Sequence, residues 1–446
     1  MKFSAEHMAS FPHTNPDPRR EFALDVVQQL RAAGFQSLWA GGCVRDQLLG
    51  KDPKDYDVAT NALPADVIRL FGEQRTVPVG AAFGVVMIPG PTRRHGQVEV
   101  ATFRSDGEYL DGRRPESVQF CSAEEDAKRR DFTINGMFFD PLQQQVLDYV
   151  GGQDDLQRRL IRAIGDPRAR FSEDHLRMLR AIRFAATFHF TLDTQTLRAV
   201  QDLRCRITGV SVERIMQEMR RMLAHPSRAA ALQLLQQSLL LPEVLPELTA
   251  LFADPERFAE LLRAFESLEA VQFEPALALL LRPLHDSSHP EPRQRLREIH
   301  AVCRRLKMAN EETDCVSWIL ESLPVLQQIA ARPLHVLKPL LADPRAPLLL
   351  SASAAADTAA GRAADDAAFA WHYLSRTPPE QLNPPPWING DDVQALGIPA
   401  GPEIRHILTA VRHAQLDEHI SSRTAAVALA GQLAAVARRV PADFPR

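Results

Sequence analysis

Cysteine is scarce in this chain and never paired at short range. The five cysteines, at positions 43, 121, 205, 303 and 315 of 446 residues, are odd in number and show no C-x-x-C spacing. That pattern excludes a disulfide framework and a zinc site and fits a reducing, cytoplasmic setting. Long apolar runs are missing too, and none reaches the length of a membrane span, so no membrane partner is expected. The opening MKFSAEHMASFPHTNPDPRR lacks the apolar core of a secretory signal, and residues 1–20 read as a loose extension. A global excess of basic charge is also absent: the formal charge is −4, so any surface for a polyanion has to be local. The dinucleotide fingerprint G-x-G-x-x-G does not occur, and no repeat of fixed period argues for a solenoid.

What remains is an ordinary globular composition, 45% hydrophobic and 24% charged, with length for roughly three domains. Residues 21–34 carry an amphipathic helical pattern. From Ser37 to Val150 short β-like runs (SLWA, YDVAT, AFGVVMI, QVEVATFR, SVQF, VLDYV) alternate with turns and two helical patterns. Beyond Gly152 the strand signals almost vanish, which makes the chain α+β: a head with a small mixed sheet over 21–150, then helices only. Breaks at Asp166-Pro167, His225-Pro226, Pro242 to Pro246 and the proline-rich 377–386 divide the helical part into 151–225, 226–376 and 387–446. The Ala-rich stretch 351–370 reads as a helix pair anchored by Phe369 and Trp371. His285-Asp286 reads as a surface turn, since no further His and Asp set accompanies it.

The chemistry concentrates first in LWAGGCVRDQLLGKDPKDYDVAT, residues 38–60. Gly41 and Gly42 follow a strand-like run and open a helix, where backbone N–H groups can face an anion, and Arg45 adds a fixed positive charge one turn on. Asp55 and Asp57 are two apart in an extended run, so both carboxylates emerge on one face and suit a hard divalent cation such as Mg²⁺. In QVEVATFR the alternation places Glu99 on the face opposite Val98 and Val100, as a third acid for that pair.

A second concentration is basic. Between Arg158 and Arg183 eight arginines stand against three acids, a local excess of five that can hold phosphates. The polar loop 103–115 carries Arg104, Arg113 and Arg114. In EEDAKRRDFTING, Arg129 and Arg130 can grip phosphate while Asp131 accepts a ribose hydroxyl, and Asn135 adds a donor from the same helix face. In SEDHLRMLRAIRF, Ser172 is expected to cap a helix on which Asp174, Arg177, Arg180 and Arg183 form a ridge beside Leu176, Leu179 and Ile182. An Asp oxygen accepts an exocyclic amino group while an Arg N–H donates to the adjacent ring nitrogen, a pattern that cytosine and adenine share. Uracil and guanine reverse both contacts and leave buried groups unpaired.

In order along the chain, GGCVRDQLLG…DYD, VEVATFR, DGEYLDGRRP, RRDFTING, the arginine-rich stretch through EDHLRMLRAIRF, and SVERIMQEM resemble the class II tRNA nucleotidyltransferase and bacterial poly(A) polymerase family. The likeness covers Ser37 to about Leu223. It implies a nucleotidyltransferase-fold head followed by a helical neck, body and tail. It implies further that Asp55 and Asp57 hold two Mg²⁺ ions with Glu99 assisting, that Gly42, Arg45, Arg130 and Asp131 hold triphosphate and ribose, beside the Gly41 and Asn135 already read as nucleotide-binding, and that Asp174 and Arg177 select the base, with Arg180 and Arg183 in the same pocket. One departure is Gly136, where alanine is usual, and little consequence is expected from it.

The activity so implied is nucleotidyl transfer to an RNA 3′ end from CTP and ATP, with tRNA as the partner and pyrophosphate released. Addition of CCA is favoured because the loop has no long insertion, the C-terminus has no basic tail, and INGDDVQALGIPAGPEIRHIL resembles a tail segment of CCA-adding relatives. Addition of the terminal A alone and poly(A) polymerization are the alternatives. A silent RNA-binding protein on this fold is disfavoured, since all three acids are present.

Overall fold

The computed structural model describes residues 17–80, 83–107, 117–287 and 292–439. The first helix, α1 (Pro18–Ala32), starts where Asp17 accepts the Arg19 amide at 3.1 Å, with Pro18 in the first helical position. Phe22, Ala23, Val26, Val27 and Leu30 form its buried stripe and pack on the central strands of a sheet. Those strands are β1 (Ser37–Ala40), β2 (Asp57–Thr60), β3 (Val77–Gly80), β4 (Val85–Pro89), β5 (Gln97–Thr102), β6 (Arg104–Asp106), β7 (Val118–Phe120), β8 (Phe138–Asp140) and β9 (Gln145–Leu147).

Seven of them form one sheet in the order β3-β4-β5-β2-β1-β8-β9, and β6 pairs with β7 separately. β2 and β5 run parallel while the other pairs of the seven-stranded sheet are antiparallel. β1 is buried at every position, as a strand covered on both faces must be. Trp39 at its centre stacks on Phe139 of β8 at 5.8 Å and lies against Tyr56 at 4.9 Å.

The helices that bear on the site are α2 (Gly42–Leu48), α3 (Pro64–Phe71), α4 (Ala123–Lys128), α5 (Gly152–Gln157), α6 (Pro167–Glu173), α7 (Leu176–Phe188), α8 (Thr194–Leu203) and α9 (Val212–Leu223). By contact density the chain divides into two compact units. One holds the residues up to Met222 with Ala230–Thr249, and the other holds Leu223–Ala229 with Ala250 onward. The second unit is helical where described, and its last helices close over a small core of Ile388, Val393, Ile407, Val411, Ala426 and Ala430. Among the described residues no helix is long and apolar enough to cross a membrane.

Several expectations need correction. β2 begins at Asp57, so Asp55 and Tyr56 precede the strand. β3 and β8 were not foreseen; they are only four and three residues long. The helix expected from Ser172 begins at Leu176, because Asp166-Pro167 starts α6 and Asp174 then breaks it in an extended conformation at φ −147°. Ser172 caps nothing: its hydroxyl donates back to the Arg168 carbonyl at 2.9 Å. His285 is buried inside the helix Phe273–Ser287, with Nδ1 3.2 Å from Asp286 Oδ1, rather than in a surface turn. The pair of helices Ala346–Ala359 and Asp365–Arg376 is present, but Ala367 and Ala370 bury while Phe369 and Trp371 are exposed. Arg113 and Arg114 lie outside the described residues, as does the tip of the loop carrying them.

Two glycines set the approach of α5 to the turn that bears Asn135. A Cβ at 136 would stand 2.7 Å from Val150 Cγ2, so the departure from alanine makes room for that side chain. A Cβ at 152 would collide with the Thr133 carbonyl oxygen and stand 2.7 Å from Met137 Cγ. Backbone cannot rotate away as a side chain end can. Gly152→Ala is therefore expected to cost about 1–3 kcal/mol of stability by overpacking, measured by urea unfolding; an unchanged midpoint would remove this steric account.

Candidate functional site

The turn between β1 and α2 is shaped by Gly41, whose φ of 71° is unfavourable for a residue with a side chain. A Cβ there would also stand 3.0 Å from Arg130 Nη1. Arg45, one turn into the short α2, is 8% exposed. Its Nη1 donates to Asn135 Oδ1 at 2.6 Å and its Nε to Asp46 Oδ1 at 2.8 Å. Asn135 Nδ2 in turn donates to Asp131 Oδ1 at 3.2 Å, and Asp131 Oδ2 accepts Arg180 Nε and Nη2 at 2.9 and 2.5 Å. A single chain of hydrogen bonds thus runs Arg45–Asn135–Asp131–Arg180. Asn135 belongs to a 3₁₀ turn, Thr133–Asn135, and not to a helix shared with Asp131, because α4 ends at Lys128.

Burial alone would raise the Asp131 carboxyl, but Arg180 and Asn135 outweigh it and hold it down at about 2. Arg130 is anchored differently, through Nε and Nη2 to Asp126 Oδ2 at 3.2 and 3.0 Å, with its guanidinium over the Phe138 ring at 4.8 Å.

The acids meet through the parallel strand pair. Val58 of β2 stands opposite Val100 of β5, so Asp57 and Glu99 each lie one residue before that pair and share the face opposite the buried valines. The Asp57 carboxyl is pushed up to about 7, by loss of hydration, then by the charges of Asp55 and Glu99. Asp57 keeps solvent access where it borders the cleft, so the repulsion carries more of the argument than the dehydration. Asp55, Asp57 and Glu99 are hard oxygen donors that repel one another. Among the described residues no group of three or more such side chains is gathered closely enough to hold a metal ion by itself. Cys43 is inert beside them, its thiol pushed up to about 12 by burial and then by Asp57.

Asp174, in the break before α7, and Arg177, in the first turn of α7, are held separately. Asp174 Oδ1 accepts the Leu176 amide at 3.1 Å and Oδ2 accepts Arg214 Nη2 of α9 at 2.7 Å. Arg177 Nη1 donates to Glu173 Oε2 at 2.5 Å and to the Arg170 carbonyl at 3.1 Å. Arg183 turns elsewhere, with Nε 2.5 Å from Glu218 Oε2. Steps of three residues slip back by about 60° each around an α-helix, which carries the fourth member of the expected ridge off the face that Arg177 occupies.

All this converges on a cleft of about 560 Å³, within the size range of small-molecule sites. Of the expected residues, Gly41, Gly42, Arg45, Asp57, Arg130, Asp131, Asn135, Asp174, Arg177 and Arg180 line it; Asp55, Glu99 and Arg183 do not. Arg129, read from the sequence as a phosphate grip, lines it too, and Leu176, Phe184 and Arg214 line it without having been foreseen as site residues. Leu176 and Phe184 read in sequence as an apolar seam only, and nothing local links Arg214 to a partner forty residues earlier. The lining carries six arginines against three aspartates, an excess that favours a polyanion.

Residues 38–162 match the family described as Poly A polymerase head domain, and residues 189–252 match the one described as Probable RNA and SrmB- binding site of polymerase A. A CCA-adding enzyme of Geobacillus thermodenitrificans is 43% identical over 222 residues, covering 50% of this chain and 54% of that protein. One of Streptococcus gordonii is 41% identical over 261 residues, 58% of this chain and 64% of that protein. The chain thus spans about half the length of the first curated relatives it matches. The crystal structure of a Bacillus stearothermophilus CCA-adding enzyme in complex with CTP superposes with a TM-score of 0.76 at 30% identity, over 95% of this chain and all of that one.

The Asp131–Arg180 pair carries a measurable stability. Because the folded carboxyl lies below its unfolded value of 3.8, its contribution is complete above that pH and is lost as pH falls toward about 2. Asp131→Asn is expected to cost about 2 kcal/mol at neutral pH, with the deficit shrinking as pH falls below about 4. Urea unfolding of both proteins at neutral and acid pH checks this, and a pH-independent deficit would contradict the pairing.

Proposed function

The chain belongs to the class II tRNA nucleotidyltransferase and bacterial poly(A) polymerase family, and from that premise we propose that it adds C and A to tRNA 3′ ends from CTP and ATP, without a nucleic-acid template. One observation carries the reading: a single arginine-rich cleft is lined at once by the Gly41-Gly42 turn, by Asp57, by the Arg130-Asp131 pair and by Asp174 with Arg177. Those are the parts that phosphate, metal, sugar and base each require. The names of the relatives, and the CTP bound to one of them, support CTP as well as ATP.

In this reading Arg45 and Arg130 draw in the triphosphate beside the open backbone of Gly41 and Gly42, while Asp131 and Asn135 orient the ribose. Arg180 keeps Asp131 ionised and in place. Asp174 accepts the exocyclic amino group of C or A, and Arg177 donates to the neighbouring ring nitrogen. Asp55 and Asp57, with Glu99 beside them, fit Mg²⁺, because a cation relieves the repulsion that raises Asp57. Bound Mg²⁺ would supply Lewis-acid chemistry to the attacking RNA 3′-hydroxyl and charge neutralisation to the pyrophosphate that leaves. The division into head, neck, body and tail at 21–150, 151–225, 226–376 and 387–446 belongs to the same proposal.

The test supplies purified protein and Mg²⁺ with CTP and ATP, singly and together, to tRNA ending at the discriminator base, to tRNA ending in CC, and to unstructured RNA. Products that stop at CCA are expected. A long adenosine ladder on any RNA would identify a poly(A) polymerase instead, and addition of A to CC ends alone would narrow the role to the last step. Asp57→Ala is expected to abolish incorporation while leaving tRNA affinity within about twofold, since phosphate contacts rather than this acid carry RNA binding.

The raised Asp57 carboxyl predicts a pH dependence. Its proton must leave before a metal binds, so each pH unit below about 7 is expected to weaken Mg²⁺ about tenfold. Mg²⁺ titrations from about pH 5.5 to about pH 8 check this, and a flat midpoint would argue against Asp57 as a ligand.

A further inference from the structure

Phe184 is 6% exposed on α7, yet its ring meets three cations: Arg45, Arg180 and Arg183 place their guanidinium carbons 5.5, 5.2 and 4.1 Å from its centroid. Phe188, one turn on, stacks with it at 6.1 Å and 12°, and takes Arg45 at 4.5 Å and Lys51 Nζ at 5.1 Å. Converging like charges repel, and two means of holding them together exist. Each guanidinium also pairs with a carboxylate of its own, Arg45 with Asp46, Arg180 with Asp131 and Arg183 with Glu218, whereas the negative face of the Phe184 ring is shared by all three and steadies them together without cancelling further charge.

Placement adds to this. The hydrogen-bonded chain from Arg45 through Asn135 and Asp131 ends at Arg180, and its two terminal guanidinium groups both rest on Phe184. The ring closes the chain into a loop. Arg45 comes from α2 and Arg180 from α7, helices whose residues lie 135 apart in sequence.

We propose that Phe184 is a positioning residue for nucleotide binding: its ring, with Phe188 behind it, sets the spacing between Arg45 and helix α7 so that one nucleoside triphosphate engages both. The inference rests on the functional reading above. It assigns no contact with substrate to the ring itself; Phe184 acts through the arginines it carries.

The test compares three variants for equilibrium binding of ATP and of CTP without RNA, alongside thermal unfolding. Phe190 packs on Phe188 at 5.8 Å, is buried, and meets no cation among the described residues, so Phe190→Leu controls for lost packing. Phe184→Leu and Phe190→Leu are both expected to lower the melting temperature. Of these two, Phe184→Leu alone is expected to weaken ATP and CTP, by about tenfold; Phe188→Leu, which frees Arg45 alone of the cleft arginines, is expected to weaken them about threefold. Equal weakening in the 184 and 190 variants, or affinity within about twofold of the parent in Phe184→Leu, would overturn the proposal. If Phe184→Leu does not fold, parental affinity in Phe188→Leu overturns it instead. A parent protein that binds neither nucleotide removes the functional reading and this inference with it; a parent that binds both while the ring variants match it removes this inference alone.

Discussion

The carboxylate of Asp131 is out of water and still ionised, and the geometry of the cleft follows from how it is kept so. An unpaired buried charge costs several kcal/mol, so the fold must deliver donors to it. It receives two from Arg180, one from Asn135 and one from its neighbour's own amide, Phe132 N at 2.8 Å. Arg180 lies 49 residues further on. Satisfying that one charge therefore locks the start of α7 against the turn after α4, and Asn135 passes the constraint on to Arg45 beside the glycine turn. Sheet packing places the head; this pair places the helix that carries Arg177 and follows Asp174.

The same cleft holds a second carboxylate in the opposite condition. Asp131 is drawn down to about 2 because its cation is already present, whereas Asp57 is raised to about 7 among acids, with Arg130 offsetting only part of the effect. Environments that push two like groups so far apart separate their roles. One acid already has its cation and is a fixed, ionised acceptor. The other is unfinished until a cation arrives, and the parallel pairing of β2 with β5 is what brings Glu99 beside it to make it so.

Much of this was legible in the sequence wherever the signal was local. The glycine turn and the alternation that exposes Glu99 depend on neighbours within a few residues, and both were found where expected; the D-x-D pair was only partly so, since the strand starts at Asp57 and leaves Asp55 before it. What escaped were choices made at a distance. Glu218 takes Arg183 away from the cleft and Arg214 takes Asp174, pairings across 35 and 40 residues that no periodicity announces. The capped helix at Ser172 failed for a related reason: an upstream start at Pro167, with Asp166 as its cap, had already used that turn. Phe369 and Trp371 failed because in an alanine-rich helix pair the small residues bury and allow close approach, leaving the large ones outside.

The distant pairings matter most for the proposed base choice. A protein that selects a base by two side chains is only as accurate as those side chains are fixed, because a mobile acceptor can retreat from the wrong edge instead of clashing with it. Asp174 is fixed by the Leu176 amide on one oxygen and by Arg214 on the other, and Arg177 by Glu173 and the Arg170 carbonyl. Each Asp174 oxygen keeps a further lone pair, so the group can still accept an amino hydrogen but has nothing to offer a carbonyl. The arginine likewise retains N–H donors and has no acceptor with which to meet a ring N–H. Rejection of uracil and guanine would then follow from rigidity rather than from any added obstacle, and the residues that supply the rigidity, Glu173 and Arg214, need never touch the base.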